Sequence, residues 1–310
     1  MSNYITKSAV LFLVFNRPDT TEKVFETIRM AKPTRLYIAS DGPRKHKVGE
    51  EEKVKTVRDI VSNIDWECEV KTLYREDNLG CGKAVSSAIT WFFDHEEQGI
   101  ILEDDCLPSS DFFRFCDYLL EKYQYDERIG HISGVNFQRN IKRGEGDYYF
   151  SKLTHVWGWA SWKRVWDDYD FDMKHLDQAI KIDLLSALTA KDSYRKSFYS
   201  LFSRTKTGEI NTWDYQYFFL NQINSYLSII PNYNLVSNIG FNHFGTHTQN
   251  SDSFFSNISI SPLPLEIKNP KIIYSDYIAD KYTLNKIFTF NFKSFILELF
   301  LNLKNKIISK

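Results

Sequence analysis

Cysteine is scarce in this chain: only Cys68, Cys81, Cys106 and Cys116 stand among 310 residues. Their spacings form neither a zinc-ligand set nor a paired disulfide framework, so they read as the reduced thiols of a cytosolic protein. An excess of one charge is also missing. Lys and Arg number 39 against 40 Asp and Glu, a formal net charge of -1. That balance excludes the global positive field with which a protein recruits nucleic acid. The apolar run from Ala9 to Phe15 is too short to span a membrane and lacks a signal-peptide layout. The sequence therefore predicts a cytoplasmic chain. No internal repeat or low-complexity tract occurs.

What is present is an ordinary soluble composition, 43% hydrophobic and 25% charged, long enough for one large domain or two modest ones. Aromatic residues make up 16%, many of them beyond residue 148, where Trp157, Trp159, Trp162, Trp166 and Trp213 cluster. Such faces suit sugar rings, and they equally fill a core and knit a second half onto a sheet.

Along the first half, apolar runs alternate with amphipathic stretches. Ala9–Phe15 reads as a strand covered on both faces, broken by Asn16-Arg17-Pro18. Asp19, three residues before Glu22, has capping-box spacing for a helix with Val24, Phe25 and Ile28 inside. A strand from Arg35 to Ala39 ends in Ser40-Asp41-Gly42-Pro43, and a charged stretch leads into a helix through Ile60 and Ile64. Glu69–Tyr74 is a third strand. The turn around Asn78 and Gly80 launches a helix bearing Ala84, Val85, Ala88, Ile89 and Phe92. Ser110 is placed to cap another, with Phe112, Phe113, Cys116, Leu119 and Leu120 inward. This alternation predicts a doubly wound, mostly parallel sheet flanked by helices. After Gly144-Glu145-Gly146 the pattern becomes aromatic and less regular. The expected division is 1–147, 148–250 and 251–310.

The most informative feature is the strand Ile100-Ile101-Leu102 running into Glu103-Asp104-Asp105. Adjacent carboxylates at a sheet edge disfavour one another's ionisation unless a cation sits among them. Hard divalent ions are held by one or two carboxylates, with water and phosphate completing the shell. In open α/β sheets ligands bind outside the carboxyl ends of strands, where these acids fall. Asn16, Arg17, Asp41 and Asn78 converge on the same edge, although Asp41 before Gly-Pro is also a natural turn residue. Together they could read a nucleoside diphosphate: acids for hydroxyls or base, Arg17 for base or phosphate, a cation for the diphosphate.

These segments, in order, resemble the GT-A class of nucleotide-sugar glycosyltransferases, of the N-acetylglucosaminyltransferase I type, and bacterial sugar transferases of surface-polysaccharide synthesis. The resemblance runs from about residue 8 to 250 through VFNRPDTTEKV, IASDGP, GIILEDDCLPSSDFFRF, VWGWASWKRVW, NTWDYQ and NLVSNIGFNHFGTHT. It implies a GT-A fold with an acceptor-side half, and metal-dependent, inverting transfer from a UDP-sugar to a hydroxyl of a glycan or glycolipid. By position it implies that Arg17 and Asp41 contact the nucleoside and that Glu103 and Asp104 bind donor sugar or ribose hydroxyls. Asp105 would ligate Mn2+ or Mg2+, and Asp214 would deprotonate the acceptor. The family has a second acid where Tyr215 follows Asp214, which leaves Asp167 and Asp168 as fallbacks and a helix cap as the other use of Asp214. His243 or His247, the latter favoured, would reach the metal or diphosphate. Gly158 would let the backbone approach a ligand.

Two other classes stay open. A sugar nucleotidyltransferase should carry a glycine-rich phosphate loop after the first strand, where this chain has Asn16-Arg17-Pro18-Asp19. A non-catalytic carbohydrate-binding protein would not depend on Asp105. Residues 286–310 are apolar and basic, with Glu298 their one acid. That pattern fits peripheral contact with the inner face of a cell membrane, and equally a terminal helix docked on its own domain or a dimer contact.

Overall fold

The computed structural model describes residues 4–139, 141–240 and 258–288. The first half alternates as expected: β1 (Ala9–Val14), α1 (Pro18–Ala31), β2 (Arg35–Ser40), α2 (Glu50–Ser62), β3 (Glu69–Tyr74), α3 (Gly80–Phe93) and β4 (Gln98–Glu103). The short β5 (Cys106–Pro108) leads into α4 (Ser110–Lys122). Then come β6 (Ile129–Ser133), β7 (Tyr148–Ser151), β8 (Trp159–Trp162), α5 (Lys163–Trp166), α6 (Leu176–Lys181), α7 (Asp192–Lys206), α8 (Asp214–Ile223), β9 (Leu227–Pro231) and β10 (Val236–Asn238).

Eight strands form one sheet in the order β3-β2-β1-β4-β8-β6-β9-β7, and β10 pairs with β5 beside it. The pairings from β3 to β4 and between β6 and β9 are parallel, and the other three are antiparallel. The connections through α1 and α2 step outward from β1, whereas α3 carries the chain back past β1 to β4. With right-handed crossovers, that reversal puts α3 on the opposite face from α1 and α2. It also places the topological switch between β1 and β4, where an open α/β sheet forms its crevice.

Every residue of β1 is buried, as its uninterrupted apolar run requires, while β3 is an edge strand with an alternating exposed pattern. In α4 the five residues expected inside are fully buried, and Phe115 joins them. Two helix starts differ from expectation. Pro18, with φ preset for the first helical position, begins α1 two residues early, so Arg17 holds the N-cap and the Asp19–Glu22 capping box does not form. Helix α4 likewise starts at Ser110 itself, with Ser109 in the cap position and no side-chain cap.

The second half is built by insertion. Strand β8 lies between β4 and β6, antiparallel to both, and one hydrophobic core runs from β1 to β9. The expected boundary at 147/148 therefore falls inside a continuous sheet. Trp159, Trp162, Trp166 and Trp213 are each at most 3% exposed, so they knit the second half to the sheet and do not wall a sugar site. Trp159 stacks on Trp213 at 5.6 Å and on His131 at 5.5 Å. Gly158, with φ +61°, has its Cα side pressed to Val236, where an added Cβ would meet Cγ2 at 2.8 Å. The close approach is to a core side chain and not to a ligand.

Residues 277–288 are helical and docked. Asp280 accepts from Ser151 Oγ and from Lys152 N, Thr283 accepts from Gln138, and Phe288 stacks on Tyr194 at 4.1 Å. Of the basic C-terminal stretch, Lys286–Phe288 belong to this docked helix, and 289–310 lie outside the described residues. Among the described residues no helix is long and apolar enough to cross a membrane.

Candidate functional site

A cavity of about 390 Å³ opens at the carboxyl edge of the sheet, over the switch between β1 and β4. Its walls are the ends of β1 and β2, the turn Phe15-Asn16-Arg17, Asp41, Arg44, Arg75, Asn78, the first turn of α3, Glu103, Asp104 and Asn211. Arg17, Asp41, Glu103 and Asp104 are thus brought together as the sequence implied. Asp105 lies directly behind them.

Asp105 is held by a cation from its own chain. Arg17 Nη1 donates to its Oδ2 at 2.6 Å and stands 3.5 Å from Asp104 Oδ1. Asn238 Nδ2 donates to Asp105 Oδ1 at 3.4 Å, and the Asp105 carbonyl accepts from Ile239 N at 2.8 Å. Strand β10 thereby lays Gly240 against the carboxylate, with room for no side chain: a Cβ there would sit 2.2 Å from Oδ2. The chain enters 241–257 from this point, so His243 and the favoured ligand His247 lie outside the described residues.

Asp104 accepts from Phe15 N at 3.2 Å, which ties the end of β4 to the end of β1. Burial pushes its carboxyl above the ordinary range, Arg17 opposes that shift, and Asp105 adds to it. Glu103 is raised as well, first by burial and then by Asp105, Asp104 and Asp214. No hydrogen bond satisfies its side chain among the described residues, so its carboxyl faces the cleft unpartnered.

Asp41 is more committed. Its oxygens accept from Gly42 N, Leu79 N, Gly80 N and Asn78 Nδ2, all between 2.9 and 3.1 Å. The turn role and the cleft-lining position coincide: the carboxylate fixes the start of α3 while forming part of the wall. Asp214 is the first residue of α8. One oxygen accepts from Thr212 Oγ1 and from Tyr215 N, and the other has no protein donor among the described residues. Three residues before it, Asn211 lines the cavity, and the charge of Asp214 reaches Glu103 and Cys81. Asp167 and Asp168 sit past α5 at the other edge of the sheet, where Lys163 N bonds Glu97 O at the start of β4. They are remote from the carboxylates by the length of that strand.

Several cleft residues carried no functional signal in the sequence. Arg44 is locked to Glu50, which also accepts from Asn16 Nδ2 at 2.9 Å, and its guanidinium lies 5.5 Å over Phe15. Asn211 Oδ1 accepts from Gly82 N at 2.9 Å, and Cβ atoms at Gly80 or Gly82 would collide with Asn211. The triplet Gly80-Cys81-Gly82 was the available sign that something packs on the start of α3. Cys81 is exposed and lines the cleft, and its thiol is pushed up to about 12, first by burial and then by Glu103 and Asp214.

Among the described residues no group of three or more His, Cys, Asp and Glu could hold a metal ion. Asp105 alone fits one, as an oxygen ligand already satisfied by a positive charge; phosphate and water would have to complete the shell.

No protein-family model matches the sequence, and neither does any curated protein. Solved structures similar in outline include UDP-glucose pyrophosphorylase complexed with UDP-glucose, with TM-score 0.38 and 13% identity over 74% of this chain and 93% of that one. Another is HddC from Yersinia pseudotuberculosis, with TM-score 0.32 and 12% identity over 52% of this chain and 80% of that one.

Proposed function

We propose that the cleft binds a nucleoside-diphosphate sugar, with UDP as the nucleotide, and that the protein transfers its sugar to a hydroxyl of a glycan or glycolipid. The observation that carries this reading is the juxtaposition at the β1/β4 switch of Arg17, three carboxylates and, beside them, the open oxygen of Asp214. In this reading Asp41 and Arg17 meet the nucleoside, and Glu103, unpartnered among the described residues, accepts from a donor hydroxyl. Asp214 takes the proton of the acceptor hydroxyl as its oxygen bonds to the anomeric carbon and the bond to the diphosphate breaks. Attack opposite the leaving group inverts that carbon. A Mn2+ or Mg2+ ion on Asp105 would offset the charge gathering on the departing diphosphate.

The turn after β1 contains no glycine, so it offers no backbone cradle for a triphosphate. This favours transfer over sugar-nucleotide synthesis. The test is thermal shift with UDP, with and without Mn2+, followed by product analysis on UDP-sugars. Metal-dependent stabilisation and release of UDP on adding an acceptor are expected. Formation of UTP from UDP-sugar and pyrophosphate would make the protein a nucleotidyltransferase instead. Indifference to every nucleotide would sink the reading.

A further inference from the structure

A second cavity, of about 550 Å³, opens next to the first and shares Asn16, Arg17 and Arg44 with it. Its other walls are Pro18, Asp19 and Thr20 at the start of α1, together with Lys47, Val48, Glu50 and Lys53. The charges in it do not cancel. Glu50 is neutralised by Arg44, whose Nε donates to Oε2 at 2.9 Å and whose backbone N does so at 2.7 Å. Arg17 is engaged by Asp105 and Asp104. That leaves Lys47 and Lys53, exposed and without a carboxylate partner among the described residues, against the single acid Asp19. Neighbouring Lys45, by contrast, is paired with Asp77 at 2.8 Å. The first-turn N–H groups of α1 have no side-chain cap, which adds positive potential on the same wall. A lone exposed lysine means little. Two unpaired ones lining a concavity that opens into a cleft for an activated sugar form an anion site.

We infer that this cavity is a second subsite, taking a phosphate group through Lys47 and Lys53 next to the donor cleft. The inference rests on the function proposed above, because its neighbour must hold the activated sugar. The phosphate has two sources of the same chemistry: the donor's own diphosphate extending past Arg17, or a phosphate borne by the acceptor.

The experiment is calorimetric titration of the full chain with inorganic pyrophosphate, comparing wild type with the Lys47→Ala/Lys53→Ala variant. Both lysines are on the surface, so the variant keeps its fold. Loss of two charge-assisted contacts is expected to weaken pyrophosphate by about tenfold or more. Repeating the titration with UDP and Mn2+ at saturation separates the sources. Retained pyrophosphate binding assigns the site to an acceptor phosphate, and competition assigns it to the donor diphosphate. Equal pyrophosphate affinity in both proteins overturns the subsite. UDP binding, measured on the same samples, reports independently on the donor reading: UDP bound with pyrophosphate unaffected removes the subsite alone, and no UDP binding at all removes the functional proposal.

Discussion

The two ends of the sheet use polar residues in opposite ways. In β1, β2 and β4, strand interiors are apolar and the polar groups gather beyond the strand ends, at the cleft. From β6 to β9, polar groups lie inside. His131 within β6 is fully buried and bonds the His155 carbonyl at 3.0 Å, and Asn136, Gln138 and Asn234 form a buried ladder reaching Pro231 and residue Thr283. The first arrangement leaves charge available to a ligand. The second spends hydrogen-bonding capacity on fixing loops, since a buried polar group without a partner is costly. Damage at one end should appear as lost chemistry, and at the other as lost stability.

The largest test of that contrast is Trp159→Ala. Removing a fully buried indole that touches His131, Trp213 and Tyr217 should cost about 3–5 kcal/mol of stability, read by urea unfolding. A loss below about 1 kcal/mol would mean that the buried tryptophans do not knit the second half to the sheet. At the other end, Asp214→Asn should lower kcat by about 10²–10³ with little change in melting temperature, the scale of removing a positioned base. Full activity in that variant would remove Asp214 from the mechanism.

Protonation separates buried groups by sign. Burial lowers His131 to about 3, so the folded chain keeps it neutral while the unfolded chain takes up its proton below about 6.5. That contribution to stability is present above 6.5 and is lost as pH falls. His131→Gln should therefore gain about 1.5 kcal/mol on wild type between pH 6.5 and 5. Asp280 runs the other way: burial raises it to about 6, so wild type should gain about 1 kcal/mol on Asp280→Asn between pH 7 and 5. Parallel pH profiles for wild type and either variant would show that the group is not buried as described.

The smallest effect concerns Arg17. Because its guanidinium occupies Asp105, Arg17→Gln should bind Mn2+ several-fold more tightly without nucleotide, measured by electron paramagnetic resonance, even as UDP affinity falls. Unchanged Mn2+ affinity would mean that Arg17 does not compete for the carboxylate.

Much of this was legible in the residues. Continuous apolar runs ending in turn residues announced β1 to β4, and the acids after Leu102 announced the cleft. The later strands stayed hidden because β6 and β9 are short and carry polar residues whose partners lie far off in sequence, as His131 and His155 do. Pattern reading also missed what only proximity reveals: that Arg17, at a helix start fixed by Pro18, meets Asp105 across the switch point. Asn211 belongs to the same class, since its place on α3 depends on how α8 arrives.

Strand β8 has a consequence for biosynthesis. It pairs with Gln98–Ile101 on one side and with Ile132 and Ser133 on the other, so neither strand has its neighbour until residue 162 has been made. A nascent chain, or a fragment ending at 147, would present β4 with a bare row of amide and carbonyl groups beside Ile100 and Ile101. Such an edge invites pairing with other chains. Attempts to produce residues 1–147 alone should yield aggregates, and adding back residues 148–162 should not by itself rescue them while β9 is missing beside β6.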